Sequence, residues 1–190
     1  SHIPGASPWY KPQDENHVLS IKEELAKIDS PVKVLVGCES EFTGETCGID
    51  SKTAELFDFV ILPCSHFHMV DFVRSSDITS PEQQAKLLIE RLNDVLKYEF
   101  LDGLAHPYTI VGGSAIMDEV AAYMRKADDF KRFLDKAAEK QVSIEIHVGY
   151  FPQLMKKEDP EFNQESIMYL LEMSKKAGCL FHFASDSHSI

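Results

Sequence analysis

The sequence predicts an α/β fold in which parallel strands alternate with helices and curl toward a barrel. Five short apolar or β-branched runs alternate with segments of helical periodicity, and no internal repeat or low-complexity stretch interrupts them. Strand after strand also ends in Glu, His or Asp. In a (β/α) barrel all C-terminal strand ends converge on one face, whereas an open doubly wound sheet joins only the ends that flank a switch point. The ligand-type residues at successive ends therefore favour the barrel.

Residues 1–9 contain Pro4, Gly5 and Pro8 and read as a loop. Over 14–28, Val18, Leu19, Ile21, Leu25 and Ile28 follow helical spacing, and Pro31 stops the helix. Residues 32–38 form the first expected strand, which runs into Gly37-Cys38-Glu39-Ser40-Glu41, and Gly44 and Gly48 mark the loop beyond it. Residues 56–62 are apolar on both faces apart from Asp58, as suits a strand covered on both sides, and lead into Pro63-Cys64-Ser65-His66-Phe67-His68.

Ser80 as N-cap, Pro81 at the first helical position and Gln83 three residues after the cap start a helix running to about Tyr98. Residues 100–105 are the third strand and close in His106-Pro107. Residues 114–125 and 128–140 read as two helices, or as one with a break near Ala127 and Asp128. Residues 142–148 form a fourth strand carrying Glu145 and His147. A helix over 163–177 has Gly178 where a left-handed residue belongs, and a fifth strand over 180–184 breaks off into Ser185-Asp186-Ser187-His188.

At 190 residues the chain is one domain, 1–190, able to bury roughly 70% of its unfolded surface without staples. Thirty-one acidic against 19 basic residues give a net charge of -12, which argues against a nucleic-acid backbone as the main partner. No run approaches ~18 apolar residues, so no membrane span is expected. Cys38, Cys47, Cys64 and Cys179 form no C-x-x-C pair, and the compartment is read as reducing and cytoplasmic.

Glu39, His66, His106, Asp186 and His188 stand at strand ends, with His2 in the first loop. Any one of them alone is commonly structural, but together, in a chain with eight histidines, they form a set of oxygen and nitrogen donors suited to zinc, manganese or iron. Arg74 is a candidate phosphate clamp, against the reading of a solvated surface arginine. His68 is a candidate substrate contact. Glu145 and His147 fit the mouth as groups that orient a ligand, while His17 and His182 are read as structural. Gly112-Gly113 lacks the spacing of a phosphate loop.

These motifs resemble the polymerase-and-histidinol-phosphatase (PHP) family of metal-dependent phosphoesterases. Gly37-Cys38-Glu39 is similar to its G-x-E, residues 58–66 to its Asp-apolar-Ser-x-His strand with one extra residue, Ala105-His106-Pro107 to its A-H-P, and Ser185-Asp186-Ser187-His188 to its S-D-x-H. His2 with Pro4 is similar to the H-x-P form of its histidinol-phosphatase branch. The resemblance implies a distorted (β/α)7 TIM-like barrel holding up to three divalent ions. It puts Glu39 and Asp186 on one ion, Glu39 and His66 on a second, and His2, His106 and His188 on a third, with Glu39 and Asp186 at the reacting centre.

The implied reaction is hydrolysis of a small-molecule phosphomonoester, histidinol phosphate first, by water that an ion acidifies to a pKa of ~7. The family's first motif, H-x-H-x-x-x-S, is absent. The expectation is therefore a barrel lacking its first strand and its C-terminal end, as part of a longer chain, or a site lacking ligands at its first two ions. Two competing readings are a catalytically inactive PHP module serving as a scaffold and an amidohydrolase-like metallohydrolase. The latter would want a carboxylated lysine on a strand, and only Lys33 comes near one.

Overall fold

The structure is a computed structural model that describes residues 14–110, 116–151 and 164–186. Its centre is a five-stranded parallel sheet of β1 (Gly37–Glu39), β2 (Phe59–Pro63), β3 (Gly103–Ala105), β4 (Ser143–His147) and β5 (Phe181–Ala184), arranged in chain order. Sequential order without reversal is compatible with the winding of a barrel and differs from the reversed order of a doubly wound sheet. It also brings every C-terminal strand end to one edge. Among the described residues β1 and β5 each pair with one neighbour.

Helix α1 (Glu15–Leu25) precedes β1, and α2 (Ser51–Ala54), α3 (Pro81–Val95), α4 (Met117–Met124), α5 (Asp128–Glu139) and α6 (Gln164–Ala177) lie in the connections between successive strands. The start of α3 is as the sequence predicts: the Ser80 side chain accepts from Gln83 N–H, the Gln83 side chain accepts from Ser80 N–H, and Pro81 opens the helix. The expected 114–140 region is, over its described residues 116–140, two helices, broken at Arg125 to Ala127. Gly178 has φ +89°, so the residue after α6 is left-handed as expected. Leu62, Leu104 and Ile144 on one face of the sheet pack with Leu92 of α3, Phe133 of α5 and Leu170 of α6, all fully buried. No helix among the described residues is long and apolar enough to cross a membrane.

Two strands are shorter than predicted. Residues 32–36 do not join the sheet, and Val32, Val34 and Leu35 are exposed. β-branched content favours a strand only where a partner is available to pair with it. Residues 100–102 likewise precede β3. Asp58 and Asp102 explain both boundaries. Asp58 lies just before β2, accepts the N–H of Val36 at 2.9 Å and pairs with Lys22 of α1 at 3.1 Å. Asp102 lies just before β3 and accepts the N–H of Val60 at 2.7 Å. Both carboxylates act as local staples at the N-terminal side of the sheet, so the Asp58 end of the residue 58–66 motif lies away from the ligand-bearing edge.

Arg91 of α3, 7% exposed, holds two loops of that edge together. It donates to the carbonyl of Phe42 at 3.4 Å and to that of Val73. Replacing Arg91 by Met should leave both buried carbonyls without their donor and cost about 2–4 kcal/mol. Urea unfolding checks this, and an unchanged midpoint would show that the clamp is dispensable.

Candidate metal centre

The edge where the strands end carries Glu39 as the last residue of β1, His106 immediately after β3, His147 as the last residue of β4, and His66 and Asp186 a few residues past β2 and β5. Residues far apart in the chain are brought together there because all five strands run the same way. Ligand atoms of Glu39, His66 and His106 lie within 4.8 Å of one another. His66 Nε2 and His106 Nε2 are 3.3 Å apart, and Glu39 Oε1 is 3.5 Å from His106 Nε2.

The surrounding hydrogen bonds decide which ring atoms face this point. Ser65 Oγ donates its single proton to the carbonyl of His106 at 3.1 Å, so at Nδ1 of the same residue, also 3.1 Å away, it must accept. His106 therefore carries its proton on Nδ1. His66 Nδ1 donates to Glu41 Oε2 at 2.7 Å. In both rings Nε2 is then a lone pair, and the two lone pairs face each other beside a carboxylate. Such an arrangement is repulsive unless a proton or a metal cation is shared among them. The residues fit a divalent ion, and each histidine has the partner on its far nitrogen that orients metal-bound imidazoles.

Backbone strain marks the same place. His106 has φ +31° and Asp186 has φ +48°, in the left-handed region that side chains other than glycine rarely adopt. Two candidate ligands thus sit on backbone that the surrounding fold must hold in place. The Tyr108 N–H donates to the Tyr150 hydroxyl at 3.2 Å, and the Tyr108 hydroxyl pairs with Ser174 of α6 at 2.6 Å. These bonds tie the loop of His106 to the turn after His147 and to α6.

The side chains of β4 that point away from Ile144 continue the polar surface inward. Ser143 Oγ donates to the Asp102 carbonyl at 2.9 Å, and His182 Nδ1 donates to Ser143 Oγ at 2.8 Å. His182 Nε2 is 3.6 Å from Glu145 Oε2. Glu145 is 2% exposed, and its Oε1 has no hydrogen-bond partner among the described residues. A buried carboxylate in that state favours positive charge near it.

Its influence is visible at His106. Burial, the largest single factor, disfavours the imidazolium, yet Glu39 foremost, then Glu145 and Asp186, outweigh it and hold the His106 pKa above its ordinary 6.5. His147 moves the other way: burial holds it below 6.5 and His106 adds to the shift, against opposing carboxylates. His68 is lowered by burial and by His66, whose ring it meets edge-on at 5.4 Å.

A pH dependence follows, with a sign for each group. In the metal-free protein the raised pKa of His106 contributes stability below the unfolded value of about 6.5, which is lost as pH rises through the folded value. His147 contributes with the opposite sign. A cation requires the His106 Nε2 lone pair, so protons compete with it. The rise in Tm on adding manganese should therefore grow as pH increases from about 5.5 to 8. Thermal melts with and without the ion read this directly, and a metal-induced shift independent of pH would remove His106 from the ligand set.

Of the residues singled out from sequence, the structure brings together Glu39, His66 and His106. It places Asp186 Oδ2 3.9 Å from His147 Nε2, and the ring centre of His147 is 6.0 Å from that of His106. His68 borders the cluster. Arg74 commits Nε to the Phe67 carbonyl at 2.9 Å and Nη1 to the carbonyls of Ile78 and Ser75, so it braces its own loop. His2, His188 and Gly112-Gly113 lie outside the described residues. The residues not assigned a role from sequence are Glu41, Ser65 and Ser143. His182, read as structural, bonds Ser143 through Nδ1 and has its Nε2 3.6 Å from Glu145 Oε2. Glu41 and Ser65 are each adjacent or nearly so to a ligand, which was their only sequence signal.

No family model and no curated protein sequence matches the chain. Among solved structures, the chain is similar to a histidinol phosphate phosphatase from Lactococcus lactis subsp. lactis Il1403, determined as a complex with zinc, L-histidinol and phosphate. The TM-score is 0.57 at 20% identity, over 91% of this chain and 66% of that one. This likeness is one of fold.

Proposed function

We propose that the chain is a metal-dependent phosphoesterase that hydrolyses a phosphomonoester of a small metabolite, with histidinol phosphate the first substrate to try. The observation that carries this reading is the meeting of two imidazole lone pairs and a carboxylate at one point, each imidazole fixed by its own partner. The similar solved structure, which holds zinc, L-histidinol and phosphate, supports the substrate class and the metal. The chain spans 66% of that chain's length.

In this reading Glu39, His66 and His106 would hold one ion, which takes His106 from the third ion, where the resemblance put it with His2 and His188, to the ion of Glu39 and His66. Asp186 with Glu39 belongs to a second, and His2 and His188 complete the set of up to three, as zinc, manganese or iron. A divalent ion there supplies Lewis acidity, neutralising phosphate oxygens and acidifying water. The chain's own residues do the rest. Glu41 and Ser65 keep His66 and His106 in the tautomer that offers Nε2. Glu145 sets a negative potential behind the site. His68, exposed beside His66, stands where it can touch the substrate. Glu39 and Asp186 are the carboxylates this reading assigns to the reacting centre. All four cysteines are free, which accords with a reducing cytoplasm.

Metal analysis of the purified protein, followed by p-nitrophenyl phosphate and histidinol phosphate assays with and without manganese or zinc, tests the proposal. Stoichiometric metal with metal-dependent release of phosphate is the expected result. Metal binding without turnover of either ester would favour a non-catalytic module, and a protein that retains no divalent ion would overturn the reading altogether.

A further inference from the structure

We infer that His147 is a hydrogen-bond donor to an oxyanion bound at the metal centre, and not one of its metal ligands. The inference rests on the phosphoester reading for the identity of that anion; the ring geometry stands apart from it.

The Gly149 backbone N–H donates to His147 Nδ1 at 3.0 Å. A backbone amide can only donate, so Nδ1 carries no proton and the neutral ring carries its proton on Nε2. This is the opposite tautomer to that of His66 and His106, where Nδ1 donates and Nε2 is left as a lone pair. A nitrogen that bears a proton has no lone pair to give a cation. What it can offer is a hydrogen bond, and the natural acceptor beside a cation is an anionic oxygen.

The local chain is shaped for this. His147 ends β4 and caps the 3-10 turn Val148–Tyr150, so the bond from Gly149 is part of the turn. A Cβ on Gly149 would lie 2.6 Å from His147 Nδ1 and 2.7 Å from its Cε1, so only glycine lets the ring sit over the amide. Tyr150 closes the other side, with ring centres 5.7 Å apart. The Nε2 atom is buried, lacks a hydrogen-bond partner among the described residues, and has Asp186 Oδ2 at 3.9 Å, beyond bonding distance. A buried donor is thus held beside His106, their ring centres 6.0 Å apart, with no acceptor for its Nε2 among the described residues. Arg74, the residue that sequence offered for gripping phosphate, is occupied by its own loop.

Ring-nitrogen NMR on the metal-free protein tests the tautomer, and inorganic phosphate binding to the metal-loaded protein tests the role. His147 should show the Nε2–H form while His66 and His106 show Nδ1–H. Replacing His147 by Ala should leave the metal content unchanged and weaken phosphate about tenfold or more, the loss of one charge-assisted hydrogen bond. Replacing it by Asn, whose amide can still donate, should restore most of the affinity. Gly149→Ala, by displacing the ring, should resemble His147→Ala.

An Nδ1–H form at His147, loss of metal in His147→Ala, or phosphate binding equal to that of the unsubstituted protein would each overturn the inference. A metal-loaded, unsubstituted protein that binds no phosphate, with the His147 tautomer as expected, would instead overturn the phosphoester reading and the ligand named here with it.

Discussion

Replacing His106 by Ala is expected to release the bound metal and abolish phosphatase activity while the far-UV circular dichroism stays close to that of the unsubstituted protein. The residue is 2% exposed and follows directly on β3, so its ring cannot be replaced by solvent or by a neighbouring side chain. Its Nε2 lies within reach of both His66 and Glu39, and removing it opens the centre of the triad. Losing the partner of a ligand costs 10–100-fold in metal affinity, so losing the ligand itself should exceed about 100-fold. Stability should fall as well, because a cavity forms and Ser65 loses a partner. Ala at φ +31° is also strained by about 1–2 kcal/mol. His106→Asn, which tolerates left-handed backbone better, separates the two effects. It should recover stability without recovering metal. Unchanged metal content in either variant would end the assignment of His106 as a ligand.

The site was legible in sequence where chemistry and strand ends coincide. Glu39, His66 and His106 each follow an apolar run, and parallel strands carry all such ends to one edge, so spacing in the chain became proximity in space. The winding of the sheet was legible for the same reason. What sequence did not disclose was set by partners distant in the chain. The 32–36 stretch has the composition of a strand, but Asp58 captures the Val36 amide and the stretch stays outside the sheet. Arg74 has the chemistry of a phosphate clamp, and only its contact with the Phe67 and Ile78 carbonyls shows that it closes a loop. His182 looked like a core histidine until its pairing opposite Glu145 placed it against Ser143. Tautomers are the extreme case. His66 and His147 are the same residue type on the same edge, and only Glu41 and the Gly149 amide make one an acceptor and the other a donor.

Glu39 and Glu41 differ by two positions and should differ in consequence. Glu39 presents its oxygen to the point where the imidazole lone pairs meet, whereas Glu41 reaches that point only through His66 Nδ1. Glu39→Gln removes the negative charge that offsets a cation while keeping the side-chain shape, so metal should be lost by more than about 100-fold in affinity. Glu41→Gln keeps an oxygen that can still accept from His66 Nδ1, and Glu41→Ala does not. The first should cost little, and the second about 10–100-fold, with full stoichiometry recovered at high metal concentration. A second readout does not depend on metal at all. Glu39 is the foremost influence raising the His106 pKa, so Glu39→Gln should lower that pKa in the metal-free protein while Glu41→Gln leaves it nearer its starting value. NMR titration of His106 measures this. Equal effects of the two substitutions on metal affinity and on the titration would mean that Glu39 does not share the point with the histidines, and the centre would have to be rebuilt around Glu41.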